Sequence, residues 1–65
     1  MEKIVGIIKS NFTKKEYNVK WNISEKNSWI ERKPGLWEVI CNSIYSEMEA
    51  LKCAQKFING QKENY

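Results

Sequence analysis

The chain has 65 residues, 42% of them hydrophobic and 29% charged, with a formal net charge of +3 and no histidine. A chain this short forms one domain at most, burying only about 60% of the surface its unfolded form exposes, and its apolar content excludes a disordered polymer. No apolar run approaches the ~18 residues of a membrane span, and "MEKIVGIIKS" is too short in its apolar part, with Glu2 in front, for a secretion signal, so the expectation is a soluble cytoplasmic protein.

"KIVGIIK" (Lys3 to Lys9) is a short apolar run rich in Ile and Val. It predicts a first strand covered on both faces or nearly so, and Gly6 within it suggests a bulge or a close backbone approach. "SNFTKK" is a polar connection whose Phe12 is placed to fold back over the core. "EYNVKWNI" (Glu16 to Ile23) alternates throughout. Tyr17, Val19, Trp21 and Ile23 make a core face, and Asn18, Lys20 and Asn22 the opposite one. "SEKN" is loop chemistry, "SWIERK" (Ser28 to Lys33) a third strand, and "LWEVICNSI" (Leu36 to Ile44) a fourth. Between the last two, Pro34 presets φ and Gly35 supplies the positive φ of a type II turn.

The last element is a helix. Ser46 and Glu49 have the spacing of a capping box, and Tyr45 stands where a hydrophobic staple residue would sit. Met48, Leu51, Ala54, Phe57 and Ile58 recur at helical spacing, while Lys52, Gln55 and Lys56 point elsewhere. Asn59-Gly60 is a helix stop, leaving residues 61–65 as a frayed tail. The predicted architecture is α+β: an antiparallel meander of three to four strands with one C-terminal helix across one face, occupying residues 1–60.

Pairing Lys33 with Leu36 across the turn sets a register. Arg32 then faces Trp37, Glu31 faces Glu38, Ile30 faces Val39 and Trp29 faces Ile40. Ile30, Trp37, Val39 and Cys41 join Trp21 in the core. Trp29, Glu31, Lys33, Leu36, Glu38 and Ile40 share the other face with Asn18, Lys20 and Asn22. A slip of one residue exchanges the two faces. A face that mixes Trp, Leu and Ile with Lys and Asn has the character of a binding surface.

Catalytic chemistry is thinly supplied. General acid–base work near neutral pH most often uses histidine, which is absent. Cys41 and Cys53 have no neighbouring base in sequence and are too few to complete a tetrahedral zinc site. They read as two small buried thiols, although a disulfide is geometrically open to them. Glu47 and Glu49 complement the helix dipole, and no glycine-rich phosphate loop is present. No enzyme, cofactor or metal is expected.

Charge is uneven. Residues 1–33 carry eight cations and four acids, a net of +4, whereas residues 34–65 carry three cations and four acids, a net of −1. Arg32 is the only arginine, and base reading and bidentate phosphate contacts favour Arg over Lys. The leading expectation is therefore a small regulator or inhibitor of the kind phages and mobile elements build, docking its open sheet face on another protein. Trp29, Leu36 and Ile40 are its anchors, and Lys20 and Lys33 steer it towards an acidic surface. The alternative is nucleic-acid binding through the same face, with Lys14, Lys15, Lys20, Arg32 and Lys33 on phosphates, Asn18 and Asn22 near bases and Trp29 stacking. A homodimer seam along an apolar strand is a further option. In outline, a meander followed by "SEMEALKCA" resembles the arm-site domains of phage-type integrases and a plant DNA-binding domain. That resemblance implies a sheet face entering the major groove, but the Arg-rich strands of those domains are missing here.

Overall fold

The computed structural model describes residues 1–63, with side chains as far as Gly60. Four strands, β1 (Glu2–Lys9), β2 (Glu16–Asn22), β3 (Asn27–Lys33) and β4 (Leu36–Asn42), precede one helix, α1 (Glu47–Glu63). The strands form an antiparallel sheet in the order β1-β2-β3-β4, and α1 lies across one face, touching all four. This is the predicted α+β meander.

The helix-facing side is aliphatic and dry. Val19 and Ile30, from the two central strands, are fully buried, and Ile8, Cys41, Ile44, Ala50, Ala54 and Ile58 close around them. Burying a side chain of the Val or Ile class contributes about 1.5–3 kcal/mol. Two alanines at the helix contact let α1 sit low on the sheet, and Gly6 serves the same end. A Cβ at Gly6 would come within 3.1 Å of Leu51 Cδ2. Trp21 is half-buried, packs against the core and donates its indole N–H to Ile44 O at 3.1 Å. Ser28 is buried beside Cys41, and its Oγ has no hydrogen-bond partner among the described residues.

Both edge strands are bulged, a feature that discourages pairing with another chain. In β1, Val5 is the extra residue between the pairs Ile4–Lys20 and Gly6–Val19. In β4, Ile40 is the extra residue between Trp29–Val39 and Ser28–Cys41. A third irregularity adds Arg32 in β3, between Glu31–Trp37 and Lys33–Leu36. The Arg32 and Ile40 bulges lie on opposite strands of one hairpin, so their shifts cancel. Lys33–Leu36 pairs as predicted, Ser28–Cys41 returns to the same register, and only the stretch between them slips by one.

That slip corrects the face assignment. Trp37 pairs with Glu31 and Val39 with Trp29, so both leave the core for the open face. Glu38 pairs not with Glu31 but with the Arg32 side chain. Ile40 turns inward and packs against the core. The first strand is likewise not covered on both faces, since Ile4 and Ile7 are exposed.

The helix differs from its prediction in three ways. Its buried stripe is Ala50, Ala54 and Ile58, flanked by Leu51, Cys53 and Phe57, and Met48 is exposed. Ser46 Oγ does accept from Glu49 N–H at 3.2 Å, but the Glu49 carboxylate reaches one residue further back than in a capping box, to Tyr45 N–H at 2.7 Å. Tyr45 is exposed, so no staple forms there, and Ile44 is the buried residue at this corner. Finally, α1 runs through Gly60 to Glu63. The predicted tail therefore begins in helix, and its last two residues lie outside the described residues.

Cys41 and Cys53 are joined by a disulfide, with their Cα atoms 6.5 Å apart. The expectation of two separate thiols is overturned. Cys41 faces the core as the register predicts, and Cys53, which was not placed on the apolar stripe of α1, packs against the same core and meets it there.

Candidate functional site

Among the described residues, nothing covers the face of the sheet away from α1. Alternation places Lys20, Asn18 and Asn22 of β2 there, since Val19 and Trp21 face the core. Cross-strand partners share a face. Ile4 and Ile7 therefore join from β1, Trp29 and Glu31 from β3, and Trp37 and Val39 from β4.

Lys20 is the centre of this surface. Its ammonium lies 4.4 Å from the Trp37 ring centroid, 5.2 Å from that of Trp29 and 3.3 Å from Glu2 Oε1. Its side chain is only 15% exposed. A cation held between two indole faces gains about 0.5–1 kcal/mol in water and about 2 when desolvated, so Lys20 fixes both rings. Trp29 is further held by its N–H, which donates to Asn27 Oδ1 at 2.8 Å. Ile4, Ile7 and Val39 border the cluster and are 55%, 61% and 45% exposed. The result is a pre-positioned patch of two tryptophans and three aliphatic side chains.

A polar frame surrounds the patch. Asn18 Nδ2 donates to Glu31 Oε1 at 2.8 Å, and Gly35 N–H donates to Glu31 Oε2 at 2.8 Å. These two bonds, Asn18 first, hold the Glu31 carboxyl below the usual carboxylate range, with the nearby Lys20 charge contributing less. Asn22 accepts from Glu25 N–H at 2.9 Å and donates to Glu2 Oε2 at 3.5 Å. Glu2, Glu16 and Glu31 balance Lys9, Lys20 and Lys33 across the face and its rim. Glu16, Asn18, Glu31 and Lys33 line one depression at the hairpin end.

Four of the residues singled out from sequence, Trp29, Lys20, Asn18 and Asn22, are thus brought together. Leu36 and Lys33 are exposed at the hairpin turn. Arg32 is turned towards α1, its guanidinium 5.8 Å from the Phe57 ring and its Nε donating to Glu38 Oε1 at 2.6 Å, while it still lines the hairpin-end depression with Asn18, Glu31 and Lys33. Ile40 leaves the set, being packed inward. Trp37, Val39, Ile4 and Ile7 were missed. A type II turn has the wrong twist for a two-residue hairpin, so "KPGL" itself carried a hint that a bulge would follow.

Among the described residues there is no group of three or more His, Cys, Asp or Glu side chains arranged to hold a metal. No described helix is long and apolar enough to cross a membrane. The chain matches no protein-family model, and neither a curated protein nor a solved structure is similar to it.

Proposed function

We propose that this is a small non-enzymatic binding protein, a regulator that acts by docking its open sheet face on another protein. The observation that carries the reading is the Trp29–Lys20–Trp37 cluster, bordered by exposed Ile4, Ile7 and Val39 on a face that the described residues leave bare. Tryptophan is enriched among residues that dominate interface energetics, and side chains already fixed lose little entropy on binding. Trp29 and Trp37 are the anchors, with Val39 in the place first given to Ile40.

The charge balance refines the partner. Lys20 is engaged by Glu2 and two rings, so it positions the anchors rather than steering. Lys33 remains the cation available to an acidic group at the rim. An apolar centre with a mixed rim fits a protein surface of mixed charge better than a strongly acidic one. The same balance weighs against nucleic acid on this face, since Arg32 is paired with Glu38 and Glu2, Glu16 and Glu31 would meet phosphates.

The test is a comparison of wild type with the Trp29→Ala, Trp37→Ala double variant, immobilised on beads and challenged with cell extract. The variant's fold is checked by circular dichroism. A protein retained by wild type and lost by the folded variant supports the reading; identical retention by both defeats it. Sedimentation of the free protein tests self-association through the face. A cytoplasmic location is the expectation from sequence, and the Cys41–Cys53 disulfide weighs against it. A reducing cytosol holds such a pair as thiols, so thiol trapping on protein taken directly from cells reports the compartment.

A further inference from the structure

The lysines with described side chains differ in their pairing. Lys3 pairs with Glu47, Lys20 with Glu2, and Lys26 lies over the Tyr45 ring. Lys9, Lys14, Lys15, Lys33, Lys52 and Lys56 make no ion pair among the described residues; Lys14 and Lys15 lie on the β1–β2 connection, and Lys52 and Lys56 are exposed on α1.

The β1–β2 connection, Ser10 to Lys15, is built to hold its shape. Ser10 is buried, and its Oγ accepts from Phe12 N–H at 3.2 Å and Thr13 N–H at 3.1 Å. Thr13 Oγ1 accepts from Lys15 N–H at 3.3 Å. Two main-chain bonds close the turn, Ser10 N–H to Lys15 O at 2.9 Å and Lys14 N–H to Ser10 O at 3.1 Å. Lys14 takes a φ of +66°, rare for a side-chain-bearing residue.

Helix α1 fastens this turn from outside. Asn59 Oδ1 accepts from Asn11 N–H at 3.3 Å, and Gln55 Nε2 donates to Lys9 O at 2.8 Å. Lys52 and Lys56 line one surface depression together with Gln55 and Asn59, the two residues that hold the turn, and another with Ser43, Ile44 and Glu49 on the β4 side. Phe12 stands on the turn 49% exposed, instead of folding back over the core.

The geometry points to a second interaction surface, in which Lys14, Lys15, Lys52 and Lys56 contact the phosphates of a single-stranded nucleic acid and Phe12 stacks on one of its bases. Point-charge lysines track a backbone without reading sequence, and an aromatic ring set among them is the usual platform for an unpaired base. The ordered turn means that the cations and the ring are in place before the strand arrives. Glu16, opposite Lys9 in the ladder, is the carboxylate at that strand end. This surface is separate from the tryptophan face and does not depend on its partner.

The experiment is fluorescence anisotropy of a labelled oligothymidylate of about 12 nucleotides, within the usual span of such sites, titrated with the full chain. Saturable binding is expected, weakening roughly 50-fold between about 50 and 200 mM salt for four neutralised phosphates. Lys14→Glu with Lys15→Glu should abolish it, as should Lys52→Glu with Lys56→Glu. Having the charge reversals on two elements keeps the test decisive where one variant misfolds. Phe12→Ala should weaken the single strand about tenfold and leave a duplex of the same length unaffected, while Trp37→Ala changes neither. Absence of saturation at low salt, binding that survives both charge reversals, or competition by polyglutamate as strong as that by unlabelled DNA would each overturn the inference.

Discussion

The two faces of this sheet are made by the same strands and obey different physics. On the helix side, Ile8, Val19 and Ile30 meet Ala50, Ala54 and Ile58, and fit is decided by volume. On the open side, Trp29 and Trp37 meet Lys20 and Glu2, and fit is decided by charge against aromatic faces. The first face is what lets 65 residues fold. The second is more ordered than folding requires, because a bare exterior has no need of two rings held around one ammonium. An arrangement surplus to stability is where function is to be sought.

Cutting into the covered face should have the largest effect. Ile30→Ala removes a fully buried side chain from a central strand, and the expected loss is about 2–5 kcal/mol, visible as a lower urea midpoint. In a domain this small, that is enough to unfold much of the population. Opening the disulfide, by reduction or by replacing both Cys41 and Cys53 with Ser, should come next at about 2–4 kcal/mol, read as a fall in Tm. Trp37→Ala marks the contrast. It should cost only about 1 kcal/mol, the scale of a cation–π contact, while losing the binding attributed to the open face. A loss comparable to that of Ile30→Ala would mean that the open face is also structural, and the comparison would break.

The smallest effect concerns the polar frame. Glu31 is held below its ordinary range mainly by Asn18. A carboxyl depressed in the folded state favours folding above its ordinary range, and that contribution disappears as pH falls through the lower folded value. Carboxyl chemical shifts followed by NMR should place the Glu31 titration below that of an unperturbed glutamate. In Asn18→Ala the titration should move back up.

Much of the fold could be read directly from residues. The strict alternation of Glu16 to Ile23 identified the second strand and both of its faces, and Pro34-Gly35 located the hairpin. The Ser46 cap placed the start of the helix to within a residue. What could not be read are features decided by three-dimensional packing. The β1 bulge beside Gly6 was announced by that glycine, but those at Arg32 and Ile40 have no glycine within them, and they moved Trp37 and Val39 to the open face. The helix stripe was read correctly at Leu51, Ala54, Phe57 and Ile58, and wrongly at Met48, which looks apolar at the right spacing, whereas the close approach to the sheet demanded the small Ala50. Gly60 read as a stop because glycine costs about 1 kcal/mol in a helix, but that cost did not end α1. The candidate site was legible through Lys20 and Trp29, whose faces follow from alternation near a secure strand, and illegible beyond the first bulge.

The bond between Cys41 and Cys53 also makes the chain a ring with two arms. It encloses the end of β4, the corner at Ser43 and Ile44, and the first half of α1, across a sequence separation of 12. A protease that cuts after Lys52 therefore releases no fragment until the protein is reduced. Pulled from its two ends, the oxidised chain should extend roughly 35 Å less than the reduced one, so a single molecule in an optical trap would register its redox state as a length.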